Sequence, residues 1–280
     1  MQGPIAQSLA LVIAGNSFVQ GRDLGHFWPE NGVFRFTKRC QFLSPPPAGP
    51  SALSSDFVAQ SPADWLAKEQ HGCSGFRLRY TVRENPTGIE DMNNNRLSVV
   101  FVGGGPRWLI EVVRLGASEF WEGRDELLDR SAPDRRIWAT TYMRISTGRS
   151  AIEPSSRAAA QIAPDLMATL NQIKRLAAEI GLGQFIPSFE AAESALSANP
   201  PDGTGYYADV AFLFPLDLAH LQLLAATEHA WVFGGMGSWN DVSSLPGPQQ
   251  IRYNKLSDDL FHLLCEAIVA VGNSTFSKTA

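Results

Sequence analysis

A glycine-rich stretch between two tryptophans is the part of the sequence whose residue types most suggest a chemical site. It reads WVFGGMGSWNDV over residues 231–242. Glycine amides cradle phosphates in the patterns G-x-x-x-x-G-K-[ST] and G-x-G-x-x-G, and this stretch has neither. It also lacks G-x-S-x-G, the pattern of a nucleophile elbow. We therefore interpret it as a tight turn after a short strand, where glycines let the chain pass close to another element. The alternative is a recognition loop that presents Trp239, Asn240 and Asp241.

Histidines, cysteines and carboxylates offer little further chemistry. Asp258 and His262 are four residues apart on a predicted helix, the spacing of a shared metal or of a simple charge pair. Asp258 and Asp259 also suit the positive end of a helix that begins at Ser257. The three cysteines lack metal-ligand spacing and imply no disulfide framework. The sequence therefore predicts no metal, no cofactor and no enzymatic activity.

Arginines alternate with apolar residues in FRLRYTVRE, residues 76–84. Arg77, Arg79 and Arg83 lie on one face of the predicted strand, and the aromatic residues lie on the other. A nucleic-acid reader usually exposes aromatic side chains beside its arginines. We interpret the arginine face as paired with acids such as Glu84 and Glu111, or as covered by helices. The alternative is a surface that binds an acidic partner.

The elements that position these residues change character along the chain. Alternating and β-branched segments predict strands at residues 33–42, 76–84, 97–102, 107–115 and 137–145, with a hairpin around GGGP at 103–106. Helical periodicity and capping residues predict helices at 61–70, 118–130, 158–180, 188–198, 215–230 and 257–272. Ser61, Ser188 and Ser257 are the predicted caps. Strands followed by helices predict an α+β fold, with an antiparallel sheet from the N-terminal half packed with helices from the C-terminal half.

Length and charge limit the range of functions. We expect one compact unit over residues 1–280, with a β-rich part at 1–148 and a helix-rich part at 149–280. Residues 1–150 carry a net charge of +2 and residues 151–280 a net charge of −7. An acidic half repels phosphates, so we expect no direct nucleic-acid binding, and it suits a basic protein partner. The apolar run at residues 9–15 is too short to span a membrane, which predicts a cytoplasmic protein without membrane contact.

The glycine-rich stretch also carries a family resemblance. AWVFGGMGSWND, preceded by LLAATEHA and followed by YNKLSDDLFHLLCEAIVAVGNS, resembles predicted immunity proteins of bacterial polymorphic-toxin systems. The similar group is paired with restriction-endonuclease-fold nuclease toxins, including toxins delivered by type VI secretion systems. GNSFVQGRD and WPENGVFRF near the N-terminus are compatible with it, and the resemblance is strongest over residues 216–274.

The resemblance implies a non-enzymatic inhibitor that binds and neutralises a cognate nuclease toxin stoichiometrically. Because a nuclease cleft is basic, we expect an acidic surface to occupy it. The predicted partner-binding residues are Trp239 as an aromatic anchor, Asn240, and the acids Asp202, Asp209, Asp217, Asp241, Asp258 and Asp259. Two alternatives stay open: a hydrolase with a site near residues 234–241 that uses His229, and a scaffold that binds an acidic partner through its arginine face.

Overall fold

The computed structural model describes residues 1–45, 56–83, 92–148, 157–242 and 244–277. Its helices are α1 (Gly3–Val19), α2 (Pro62–Glu69), α3 (Met92–Ser98), α4 (Ala159–Glu179), α5 (Ile186–Ala195), α6 (Tyr207–Ala211), α7 (Leu218–Ala230) and α8 (Gly247–Ser274). Its strands are β1 (Thr37–Ser44), β2 (Asp56–Ala59), β3 (Cys73–Thr81), β4 (Arg107–Arg114), β5 (Ala117–Leu127) and β6 (Trp138–Gly148). The strands come from the N-terminal half and most of the helices from the C-terminal half, which confirms the α+β fold class.

The six strands form one sheet in the order β2-β1-β6-β5-β4-β3. Neighbouring strands are antiparallel except β1 and β6, which are parallel. The prediction of an antiparallel sheet is therefore wrong at this one pairing. A parallel pair needs a long crossover connection, and here the whole chain between the two strands supplies it. This connection contains β2, which pairs with the other edge of β1, and β3, β4 and β5, which lie on the far side of β6.

Helix α1 lies at the centre of the molecule, although its sequence predicted no helix. Residues 5–17 are buried around the entire circumference of the helix. It packs against β3, β4, α8 and a short 3₁₀ turn at Gly32–Phe34. A helix that is buried on every side has no amphipathic period, so the pattern that predicts surface helices is absent. Within the described residues, no helix has the length and apolar character needed to cross a bilayer.

The hairpin predicted at residues 103–106 lies instead at residues 115–116, between β4 and β5. Residues 97–102 are not a strand, because α3 ends at Ser98 and the chain then turns through three glycines. Gly103 and Gly105 have positive φ, and a Cβ on Gly104 would lie 1.8 Å from the Ser98 carbonyl oxygen. The hairpin joins β4 and β5 at Gly116, whose positive φ suits a two-residue turn. The helix predicted at residues 118–130 is therefore wrong, since pairing with β4 makes this segment strand β5.

The helices of the second half follow the prediction more closely. Asp217 caps α7, and Ser61 caps α2 as predicted, each accepting a backbone N–H bond. The predicted caps Ser188 and Ser257 are wrong, because α5 begins at Ile186 and α8 begins at Gly247. The first ten residues of α8 have no regular apolar spacing, so the sequence pattern does not predict that the helix begins before Ser257. Buried apolar residues from both halves form one hydrophobic cluster.

Strand β3 lies at the edge of the sheet, and side-chain amides bond to its free backbone groups. Asn16 of α1 accepts a hydrogen bond from the Phe76 N–H and donates one to the Phe76 carbonyl. Asn273 of α8 bonds in the same way with Leu78. These four bonds cover an edge that would otherwise be open for pairing with another strand. They also fix α1 and α8 relative to the sheet.

Candidate functional site

The glycine loop, residues 234–241, is closed by its own hydrogen bonds. The Ser238 hydroxyl donates to the Gly234 carbonyl at 3.0 Å and accepts from the Asn240 N–H at 3.2 Å. The Trp239 N–H donates to the Val232 carbonyl at 3.0 Å. Residues before the loop form no strand. The loop is therefore a tight turn as predicted, but the short strand predicted before it is wrong.

The glycines of this loop do not lie against another element. A Cβ added at Gly234, Gly235 or Gly237 would meet no atom within 4 Å, so the close approach predicted from the sequence is wrong. Only Gly237 has positive φ, at 81°. Met236 is fully exposed at the tip. The glycine loop thus holds an apolar side chain out into solvent on a hydrogen-bonded turn.

Trp239 is fully buried, which contradicts its predicted role as an exposed aromatic anchor. Its indole Nε1–H donates to the Ser257 hydroxyl at 2.7 Å. The rings of Phe185, Phe189 and Tyr253 pack around it with centroids 5.3–5.5 Å away. This tryptophan, which follows the glycines in the sequence, lies inside the helical core because the tight turn directs its side chain inward.

A buried arginine holds two of the predicted partner-binding residues. The Arg96 guanidinium of α3 donates to Asp258, Asn240 and Asn93, each at 2.7 Å. The Asn240 side chain in turn donates to the Arg96 carbonyl at 3.0 Å. Arg96 is fully buried and Asp258 is only partly exposed. Asn240 and Asp258 therefore join the glycine loop and α8 to α3.

The other predicted acids are spread over several surfaces. On the helical side, the exposed Asp241 accepts from the Gly237 N–H, and Asp259 pairs with Lys255 at 2.6 Å. Asp209 accepts from the Gly32 N–H at 3.2 Å, and Asp217 caps α7. Asp202 is exposed and has its backbone carbonyl 2.9 Å from His229 Nε2. The structure brings Asp258 and Asn240 together at Arg96 and leaves Asp202, Asp209 and Asp217 on other parts of the chain.

The possible metal and arginine sites are occupied by internal contacts. Asp258 faces Arg96, while His262 Nδ1 bonds with the Tyr80 hydroxyl at 2.9 Å, so the two do not share a site. The described residues contain no group of three or more His, Cys, Asp or Glu side chains that could hold a metal ion. On the arginine face, Arg79 forms an ion pair with Glu111 at 2.6 Å. This pairing was predicted for Glu111, whereas Glu84 lies outside the described residues.

A cavity of about 790 Å³ opens beside the sheet and was not predicted from the sequence. We call it the sheet cavity. Its walls are the first two turns of α1, the segment 99–108, and strands β5 and β6. Small-molecule sites are concave pockets of this size, lined by apolar groups with a few polar ones. The cavity therefore has the dimensions of a ligand site.

The floor of the sheet cavity is a connected polar group. The Thr140 hydroxyl lies 2.7 Å from Asp125 Oδ1 and 3.2 Å from Gln7 Oε1. The Gln7 amide donates to the Thr37 hydroxyl at 2.8 Å. Burial raises the pKa of the Asp125 carboxyl, and the hydrogen bond from Thr140 opposes this only in part. A carboxyl with a raised pKa in a cavity is a typical feature of a functional site.

The mouth of the sheet cavity carries positive charge. The Arg107 guanidinium donates two hydrogen bonds of 2.8 Å to the Glu122 carboxylate and lowers the pKa of Glu122. The positive charges of Arg124 and Arg83 lower that pKa further. Glu122 can neutralise only one of these three guanidinium groups. The mouth is therefore suited to a negatively charged ligand group.

Comparisons of the chain with protein-family models, curated proteins and solved structures give no significant match. No motif marks the sheet cavity, because its lining comes from segments far apart in the sequence. The only local signal in the sequence is the apolar run VVFV at residues 99–102, next to three glycines, and its pattern predicts a strand.

Proposed function

We propose that this chain is a cytoplasmic immunity protein that binds a cognate nuclease toxin one to one and neutralises it without catalysis. The observation that carries the proposal is the exposed Met236 on the closed turn of the glycine loop. The loop lies inside the segment, residues 216–274, that resembles immunity proteins of polymorphic-toxin systems. The hydrogen bonds of the turn hold its backbone, so a partner has to order only the Met236 side chain, whose flexible thioether adapts to an apolar surface.

The surface around this tip suits a basic partner. Asp241 is exposed beside Met236, and Ile251 and Asp259 are exposed or half-exposed on the first half of α8. The Tyr253 hydroxyl donates to the Trp239 carbonyl, so the glycine loop and α8 are packed together. Met236 and the neighbouring Asp241 carboxylate would match a basic cleft that also contains apolar surface. The net charge of −7 over residues 151–280 would speed the encounter through electrostatic steering.

This surface replaces the wider set of residues predicted from the sequence. Asp241 and Asp259 stay in the proposed interface, and Met236 and Ile251 join it. Trp239 leaves it because it is buried. The hydrolase alternative gains no support from His229, whose Nε2 lies against a backbone carbonyl rather than beside a nucleophile. The scaffold alternative loses Arg79, which is already paired with Glu111.

The test is calorimetry of the purified protein with a catalytically inactive version of the toxin encoded by the adjacent gene. We expect one-to-one binding with a Kd in the nanomolar range or below. Met236→Ser should weaken binding about tenfold or more, as at an interface hot spot. Leu115→Ser is the matched control, because Leu115 is also fully exposed at the tip of a turn.

Each outcome bears on a different part of the proposal. Absence of binding to the adjacent product would overturn the immunity function. Tight binding that Met236→Ser, Asp241→Lys and Asp259→Lys all leave unchanged would overturn the proposed surface but keep the function. Loss of binding in Leu115→Ser as well would place the interface elsewhere.

A further inference from the structure

The segment 99–106 forms an ordered apolar wall of the sheet cavity. The Phe101 N–H donates to the Ser98 carbonyl, the Gly104 N–H donates to the Phe101 carbonyl, and the Gly105 N–H donates to the Ser98 hydroxyl. The turn nevertheless exposes three apolar side chains in a row, and Phe101 is 70% exposed. Exposed apolar side chains on an ordered segment mark a contact surface. Phe36 and Trp138 add apolar surface to the same cavity.

The charge at the mouth selects the kind of ligand. Arg107 is committed to Glu122 through two hydrogen bonds. Arg83 donates to the Gly103 carbonyl at 2.7 Å. Because this acceptor is neutral, the contact does not balance the positive charge of Arg83. Within the described part of the chain, Arg124 forms no ion pair and lies at the cavity lining. An anionic group placed between Arg83 and Arg124 would gain charge-assisted hydrogen bonds.

The inner end of the cavity can bond to a polar group. Asp125, Thr140 and Gln7 line it and already share hydrogen bonds with one another. A hydroxyl or amide of a ligand can add to this network, because each of these side chains has further donor or acceptor capacity. The sheet cavity is thus lined by an apolar wall, by arginines at its mouth and by polar side chains at its floor.

We propose that the sheet cavity binds an amphipathic organic acid. Its apolar body would lie against Phe101, Phe36 and Trp138, and its carboxylate, sulfonate or phosphate group would pair with Arg124 and Arg83. The cavity volume of about 790 Å³ holds a molecule of this class. This site is separate from the proposed toxin-binding surface, which lies on the glycine loop and α8.

A pair of fluorescent probes tests the proposal. The first, 8-anilinonaphthalene-1-sulfonate, has an aromatic body and a sulfonate, and the second, N-phenyl-1-naphthylamine, has the same aromatic body without the charge. We expect the wild-type protein to bind the sulfonate probe more tightly. Arg124→Gln should weaken the sulfonate probe about tenfold and leave the uncharged probe unchanged, since only one probe can pair with the guanidinium.

Two matched controls locate the binding. Arg175→Gln removes an exposed arginine on α4, outside the cavity, and should change neither affinity. Phe101→Ser should weaken both probes, whereas Leu115→Ser, at the fully exposed turn between β4 and β5, should weaken neither. The proposal is overturned if Arg124→Gln leaves the affinity for the sulfonate probe unchanged. It is also overturned if the control variants reduce binding as much as the cavity variants.

Discussion

The glycine loop and the sheet cavity differ in how they use their polar groups. In the glycine loop, Ser238 bonds to Gly234 and Asn240, and Asn240 bonds to Arg96. These polar groups hold the turn, while its tip and the Asp241 side chain face solvent. In the sheet cavity, Arg124 and the floor around Asp125 keep capacity for a ligand. A run of unusual residues in the sequence, such as the glycine loop, can therefore reflect packing. A cavity whose polar groups can still bind a ligand, such as the sheet cavity, can lack any sequence motif.

The strongest test of this comparison is Trp239→Ala. The change removes the largest side chain in the loop, a hydrogen bond to Ser257 and contacts with three aromatic rings. We expect the free energy of unfolding to fall by about 3–5 kcal/mol, as for other buried aromatic residues cut to alanine. Urea denaturation followed by circular dichroism measures it. Met236→Ala is the control, and an equal loss in both variants would contradict the buried, structural role of Trp239.

The second test concerns the buried Arg96. Arg96→Leu removes the cation that faces Asp258 and two further hydrogen bonds to Asn240 and Asn93. Removing one partner of a buried ion pair costs about 3–5 kcal/mol. Because Asp258 is partly exposed, we expect a loss of about 3 kcal/mol in the same urea measurement. Arg175→Leu on α4 should cost far less, and similar losses would show that Arg96 does not anchor the loop.

This contact also changes how the proposed interface must be tested. Charge reversal at Asp258 would place a second cation against Arg96 and destabilise the fold. A loss of toxin binding in that variant would then report unfolding as much as recognition. Reversal at Asp259 avoids this difficulty because the Lys255–Asp259 pair is at the surface, and reversal at Asp241 removes only the hydrogen bond that this exposed carboxylate accepts from the Gly237 N–H. Surface pairs of this kind contribute little to stability.

The sequence predicts those parts of the fold that have one face in water. Helices α2 and α4 show regular patterns because one side is buried and the other is solvated. Helix α1 was missed because it is buried all round. The segment at residues 118–130 was mistaken for a helix because its pairing with β4, across the turn at Gly116, outweighs local propensity.

The sites follow a different rule. The sequence identified the glycine loop, since its residues are adjacent in the chain, but could not tell an inward tryptophan from an outward one. It did not identify the sheet cavity, because Gln7, Arg83, Arg124 and Thr140 are brought together only by the strand order and by α1. Tertiary topology, rather than local spacing, creates that cavity.

Two glycine substitutions test whether the turn requires a glycine at position 237. Gly237 has a φ of 81°, and a Cβ there would meet no atom within 4 Å, so Gly237→Ala tests backbone strain alone. We expect a loss of about 1 kcal/mol in the free energy of unfolding, the cost of left-handed backbone for an alanine. Gly234→Ala, with equally open space and no positive φ, should cost close to zero. Equal effects at both positions would remove the argument that Gly237 is required by the turn.

An effect of similar size but opposite sign is expected at the cavity floor. Burial raises the pKa of Asp125 above its unfolded value. The folded protein therefore binds the proton more tightly, and stability decreases as pH rises from the unfolded pKa through the raised one. Asp125→Asn keeps an acceptor for the Thr140 hydroxyl and removes the buried charge. We expect the variant to be more stable at pH 7 by about 1 kcal/mol, which corresponds to a rise of about 2 °C in Tm.

The pH dependence of this effect separates charge from packing. The gain should shrink towards zero at pH 3, where Asp125 is protonated in both states and the two side chains are nearly isosteric. Asp129→Asn is the control, because hydrogen bonds from Ser131 lower the pKa of Asp129 and its removal should not stabilise the protein. A gain for Asp125→Asn that is the same at pH 3 and pH 7 would point to packing. A gain confined to neutral pH would mean that the fold tolerates a destabilising carboxyl in the cavity, as binding sites commonly do.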